Sequence, residues 1–525
     1  MRKNIATLAL AGIAALVVTA CGAAPQSGQN QQAANHTAVY GATSQVMIFW
    51  DPSDSFSNEV VAMNNMYETL LRYDPRADKF IPVLATSYEK SKDNLTWTFH
   101  LRNNVHFHDG KLMTSADVKN SIERTIHRGK GAAYIWDAVK SIETPDPQTV
   151  KFVLKYPAPI DLIASSPYAA FIFDTDVLKK NGDNWFASGH EAGTGPYMLQ
   201  SWSADKPLVL QKFPDYWGGW NGPHYDKVVF ETVSDANTKA QMVKSGTLTY
   251  VDMLPVQQLD ALANDHNVRI VRTPSFQNLI AFFNTEKKPL NDPKVREALS
   301  DAFPYDQVIK DVMQNQARQS VGPIPDGLWG HDGNLPVHHY DLDTAKKLLA
   351  DAGIQPGKLS LTLTYTAGDA NEEQIASLYK ASLQQIGVNL EVRSMPWDAQ
   401  WNLAKASDPQ QRQDIFLMYW WPDYSNPYSF LYNLFHSEKT VNFNLSYYKN
   451  PQYDKLIDDG NVKAGVDRTA AEQLFAQAQS MLVKDNPAIW IFDEDYVRAV
   501  SSSMQGFVDN PSYPNVVFWY DVRPQ

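Results

Sequence analysis

At 525 residues the chain exceeds what a single hydrophobic core organises, and length alone suggests about two to four domains. Hydrophobic residues make up 44% and charged residues 20%, so a folded chain is expected beyond the N-terminal tail. A net charge of −12 repels phosphate backbones and argues against nucleic acid as a partner.

The N-terminus carries Arg2 and Lys3 ahead of an apolar run from Ile5 to Ala20. That run falls short of the roughly 20 residues a spanning helix needs and has the form of a signal-peptide core. It ends in Val18-Thr19-Ala20-Cys21, which resembles a bacterial lipobox. The resemblance implies a signal peptide over 1–20, a lipidated Cys21 with a flexible tether over 21–40, and a protein held outside the cytoplasmic membrane. Cys21 is the single cysteine, so no intrachain disulfide can form.

Val46 to Trp50 reads as a short strand ending at Asp51-Pro52, and the apolar spacing from Asn58 to Tyr73 predicts an amphipathic helix. Leu95, Trp97, Phe99 and Leu101 alternate as a half-buried strand, Asp109-Gly110 signals a hairpin turn, and Thr114 to Asp117 forms a helix start. Farther on, Leu359 to Thr364 alternates as a strand, Glu372 to Gln385 is helical with Gly387 closing it, and Val388 to Val392 is again a strand. That order suits a βαβ unit and an α/β fold. Ile415 to Met418 has the bulk of a buried strand, Ala470 to Val483 is an amphipathic helix, and Ala488 to Phe492 and Val516 to Tyr520 read as strands.

The segment Pro82 to Glu89, followed by LTWTFHLRNNVHFHDGKLMTSADVKNSIERT from Leu95 to Thr125, resembles the family 5 extracellular solute-binding proteins, the dipeptide and oligopeptide binders of ABC transporters. The likeness continues through Gly193-Thr-Gly-Pro-Tyr, Asp215-Tyr-Trp-Gly-Gly, Phe283-Asn-Thr and Asp292-Pro-Lys-Val-Arg-Glu-Ala-Leu. It implies a two-lobed, type II periplasmic-binding-protein-like fold with an extra subdomain in the first lobe. The expected boundaries are lobe I over 41–283 with an insert at about 85–192, lobe II over 284–500, and a return to lobe I over 501–525.

The strand from Ile415 runs into Tyr419, Trp420, Trp421, Asp423 and Tyr424, aromatic rings around one carboxylate. Ligands in open α/β sheets collect beyond the carboxyl ends of strands, so this is the candidate site, with Trp397 and Trp401 as further candidates for its lining. In peptide-binding members a tryptophan like Trp397 and another like Trp420 border the ligand, and an aspartate like Asp423 holds the peptide α-ammonium. Where dipeptide binders place an arginine for the ligand carboxylate, this chain has Thr366, which argues against strict dipeptide specificity. Sugar-binding relatives also use tryptophan platforms, so aromatic content alone leaves an oligosaccharide, an opine or a chelated metal open as ligand.

His106 and His108 flank Phe107 at period two, but the segment belongs to the family signature, and no metal or cofactor is expected. No Gly-x-Ser-x-Gly, His-Glu-x-x-His or phosphate loop is present, and Asp493-Glu494-Asp495 reads as a solvated turn or hinge element rather than a catalytic pair. The expectation is therefore a monomeric, non-enzymatic, lipid-anchored binding protein that hands a peptide to an ABC permease. A surface hydrolase or adhesion lipoprotein is the alternative of another class.

Overall fold

The computed structural model describes His36 to Gln525; Cys21, the apolar leader and most of the tether lie outside the described residues. An eleven-stranded sheet forms the spine. Its order is Val388–Met395, Leu359–Thr366, Ile415–Trp420, Val268–Phe283, Ala488–Ser501, Tyr250–Val251, Thr37–Ala42, Lys227–Thr232, Lys206–Lys212 and Tyr197–Ser203, with Ala317–Arg318 paired to Ala488–Ser501 off this path. A separate antiparallel sheet of Ala85–Lys90, Thr96–Leu101, Thr149–Leu154 and Val139–Asp146 lies within the first part of the chain.

Two long antiparallel strands, Val268–Phe283 and Ala488–Ser501, join the halves of the spine, and their register shifts between Pro274 and Gln277. Before the shift the sheet continues into Tyr250–Val251 and Thr37–Ala42; after it, into Ile415–Trp420. The cores divide accordingly. One gathers buried residues from Ala38 to Tyr250 together with Val500 to Val522, two cover opposite faces of the second half, and a small one surrounds Val243 and Leu259.

The second half follows the sequence reading closely. Leu359–Thr366 and Val388–Met395 pair in parallel around the helix Ala370–Gln385, and Gly387 takes a φ of +74° that a side chain would strain. Thr114 opens the helix Ser115–Arg128 with a capping box, its N–H donating to Asp117 Oδ2 at 2.8 Å.

Three expected elements differ. Val46 to Trp50 is irregular; the strand lies upstream at Thr37–Ala42, where it has parallel partners on both sides. The helix from Asn58 ends at Met66, because Gly195 N–H donates to Met66 O at 2.9 Å and Ile172 N–H to Glu68 O at 2.9 Å, and the chain turns into the strand Leu71–Asp74. Val516 to Tyr520 joins no sheet. Its backbone is held by Asn65, whose Nδ2 donates to Val517 O and whose Oδ1 accepts from Trp519 N–H. Among the described residues no helix is long and apolar enough to cross a membrane.

Candidate functional site

The strand Ile415–Trp420 delivers its last two residues to opposite faces of the sheet, because strand side chains alternate. Trp420 points into the core that holds Phe443, 5.4 Å between centroids, whereas Tyr419 packs toward Phe492 on the other face. The wall of rings expected from the sequence is thus split. Trp397 and Trp401, one turn apart on the helix Trp397–Ala404, stack at 5.5 Å and share Trp420's side. Phe56, from the loop after the first strand, closes this cluster against Trp401 at 6.0 Å and Phe443 at 5.6 Å. Lys405 Nζ lies 4.4 Å above the Trp401 ring, and burial lowers its pKa.

After Trp420 the chain leaves the sheet and inserts between the halves. Trp421 Nε1 donates to Tyr168 Oη at 2.8 Å, Ser166 Oγ donates to Asp423 O at 2.6 Å, and Tyr424 is buried in the core of the first half. Asn426, not Asp423, caps the following helix, Pro427–Phe435, by accepting from Tyr428 N–H at 2.9 Å. The Asp423 carboxylate is therefore free of any turn-capping duty. It is 3% exposed, and its Oδ2 accepts from Tyr134 Oη at 2.9 Å and Asn433 Nδ2 at 2.5 Å. Burial drives its pKa up to about 7, against the lowering effect of those two hydrogen bonds. Among the described residues no cation is paired with it.

Tyr134, Asn433, Phe56 and Phe443 were not among the residues picked from sequence. Ser429 and Asn433 stand four apart on one helical face, and both bond Asp423, Ser429 Oγ accepting its N–H at 2.7 Å. That spacing was a usable signal; Tyr134 and Phe56, hundreds of residues away, left none. Of the expected residues, Trp397, Trp401 and Trp420 share one cluster, Trp421, Asp423 and Tyr424 share the inserted loop, and Tyr419 stands apart. An open cavity of about 440 Å³ lies beside the loop, between Tyr73, Phe276, Trp329, Ser425 and Arg468.

The histidine and acidic clusters have structural partners. His108 bonds Glu191 and the Gly195 carbonyl, while His106 forms a bridge with Leu112. Asp493, Glu494 and Asp495 lie inside the long return strand rather than in a solvated turn. Asp493 accepts from Ser320 Oγ at 2.6 Å and Asp326 N–H at 3.0 Å. Asp117, Asp174 and Asp176 converge among the described residues, but Lys111 Nζ bonds all three at 2.6–2.7 Å and fills their centre.

Residues 79–442 match the model described as bacterial extracellular solute-binding proteins, family 5 Middle. The chain is 31% identical over 458 residues to the probable D,D-dipeptide-binding periplasmic protein DdpA of Escherichia coli (strain K12), covering 86% of this chain and 87% of that protein. It is 28% identical over 480 residues to the glutathione-binding protein GsiB of Pectobacterium atrosepticum, covering 90% and 91%. Its fold is similar to the ABC transporter-associated periplasmic binding protein DppA from Helicobacter pylori in complex with peptide STSA, with a TM-score of 0.84, 26% identity, and coverage of 93% of this chain and 98% of that one. These relatives are binding proteins and not enzymes. The chain belongs to the bacterial extracellular solute-binding proteins of family 5, with the type II periplasmic-binding-protein fold.

Proposed function

We propose that the protein captures peptides, oligopeptide-like rather than strictly dipeptide, and delivers them to an ABC permease as a monomer anchored through lipidated Cys21. In this reading lobe I takes 41–283 with its insert at about 85–192, lobe II takes 284–500, and 501–525 returns to lobe I. The observation that carries it is Asp423, a buried carboxylate set between the halves and met only by neutral donors. A peptide α-ammonium is the group such a carboxylate lacks, because a buried charge without a counter-ion is strongly disfavoured. The named ligands of the relatives, a D,D-dipeptide, glutathione and the peptide STSA, support the same class. Release of a Cys21→Ala protein from the membrane fraction tests the anchor; retention there would remove it.

Calorimetric titration tests the ligand. Asp423→Asn is expected to weaken a free-amine peptide at least about thirtyfold, since removing one partner of a buried charge pair costs roughly 2–5 kcal/mol. The N-acetylated peptide, already uncharged, should lose far less. With a pKa of about 7 when empty, Asp423 is partly protonated near neutrality, and an ammonium that lowers this pKa must release a proton. Binding of the free-amine peptide should therefore strengthen as pH rises from 5.5 toward 7. Equal losses for both peptides would take Asp423 out of the amine site, and binding of an oligosaccharide with no peptide binding would overturn the reading.

A further inference from the structure

On Tyr419's side of the sheet the halves enclose a second cavity of about 50 Å³, lined by Met253 and Leu254 from one half and by Met313, Asn371 and Tyr419 from the other. Roughly 10–15 Å³ suffices for one water, so the space suits a small head group but no further ring. Its floor is the strand pair that joins the halves, where Gln277 Nε2 donates to Glu494 Oε1 at 2.5 Å. Asn371 stands in the first turn of Ala370–Gln385, is 9% exposed, and leaves its Oδ1 without a partner.

Of the charged residues that line this cavity, Glu494 alone has no ion-pair partner among the described residues. Arg498 lines it with its Nη2 unpaired, yet its charge is already met by Asp509, to which Nε donates at 3.1 Å, and its Nη1 donates to the Asp252 carbonyl. Lys239, in an adjoining cleft that shares Met253 and Asn371, spends its donors on Thr43, Asp252 and the Met253 carbonyl. Glu494, Glu372 and Asp369 have no such partner: among the described residues none has a cation within ion-pair distance. Glu372 Oε2 instead accepts from Thr366 N–H at 2.6 Å, and Asp369 accepts from Asn371 and Glu372 N–H at 2.9 Å.

We propose that this cavity is a subsite for a cationic head group of the solute, an ammonium or guanidinium, received by Glu494 and by the unpaired Oδ1 of Asn371. The proposal rests on the peptide reading above and adds a charge preference on the face of the sheet opposite the Trp420 cluster. Asp495, also on the lining, is already paired with Arg318 at 3.6 Å. Burial pushes the Glu494 pKa up to about 8 against the lowering effect of Arg498, and burial raises those of Asp369 and Glu372.

The test compares peptides Ala-Xaa and Ala-Ala-Xaa, with Xaa lysine, norleucine or glutamate, by calorimetry on the full chain. Lysyl peptide is expected to bind at least about tenfold tighter than its norleucyl isostere, with glutamyl weakest, and Glu494→Gln is expected to shrink the lysyl preference to under about threefold. Asn371→Leu should shrink it too, and serves if the first variant unfolds early in a thermal melt. Equal affinities for lysyl and norleucyl peptides, a glutamyl preference, or a lysyl preference untouched by both variants would overturn the proposal alone. Binding of none of the three would overturn it together with the peptide reading.

Discussion

His108 shows how a single residue locks a motif. Its two ring nitrogens face two acceptors, Nδ1 the Glu191 carboxylate at 2.7 Å and Nε2 the Gly195 carbonyl at 2.9 Å, so both must carry protons and the ring is an imidazolium. Burial opposes that charge, but Glu191 outweighs it and the pKa rises above 6.5; Glu191 is in turn held below 4.5, where His108 and the Gly193 N–H outweigh its burial. The sign follows. The His108 contribution is complete below 6.5 and fades as pH rises through the raised value, whereas the Glu191 contribution is complete above 4.5 and fades as pH falls through the lowered one. Between those limits the pair is fully formed. His108→Phe, measured by urea unfolding at pH 6, is expected to cost about 3–5 kcal/mol by leaving the buried Glu191 unpaired, and adding Glu191→Gln should recover part of the loss. A cost under about 1 kcal/mol would show that the pair contributes nothing special. The histidine and the glycine motif were each visible in the sequence; their contact, 87 residues apart, was not.

At the scale of elements, two recognisable segments prove to be one construction. The turn at Gly110 and the run Gly193-Thr-Gly-Pro-Tyr meet where His108 N–H donates to the Gly193 carbonyl at 2.9 Å. A Cβ on Gly193 would stand 1.9 Å from Met66 O and one on Gly195 2.4 Å from Asn65 O, so both positions require glycine for close approach to the end of the Val60–Met66 helix. The same contact explains the early stop of that helix: apolar residues continue at helical spacing to Leu71, but their backbone groups have better partners elsewhere. Periodicity registers which face is apolar and is blind to which hydrogen-bond partner wins. The strand Ile415–Trp420 gives the complementary case. Its existence was legible from bulk and length, and strand alternation then separates Tyr419 from Trp420, which a run of adjacent aromatics does not announce.

For the whole molecule, function rests on how the halves meet. Besides the Asp423 loop, the turn between the helices Pro451–Ala464 and Arg468–Asp485 docks on the other half: Lys90 Nζ donates to the Gly465 carbonyl at 3.4 Å, and Arg468 approaches Asp78 at 3.8 Å. A Cβ on Gly465 would fall 2.4 Å from Ala158 N and 2.5 Å from the Pro157 carbonyl carbon, backbone that cannot step aside. A ligand closes two lobes only as far as it binds the closed form better. Gly465→Ala should therefore enlarge the radius of gyration of the free protein in small-angle scattering, and saturating peptide should contract it again at a higher midpoint concentration than wild type needs. Unchanged scattering in both states would deny that this contact helps hold the halves together. The sequence by itself determined the family, the βαβ order of the second half, the capped helix at Thr114 and the strand that leads to Asp423, because each is written in near neighbours or in a long ordered likeness. Only the tertiary structure decided that Asp423 meets Tyr134, 289 residues away, that Phe56 completes the tryptophan cluster, and that Glu494 lines a cavity from within a long strand. Local pattern records what a residue's own strand or helix demands; partners brought from distant parts of the chain are set by packing, which leaves no period to read.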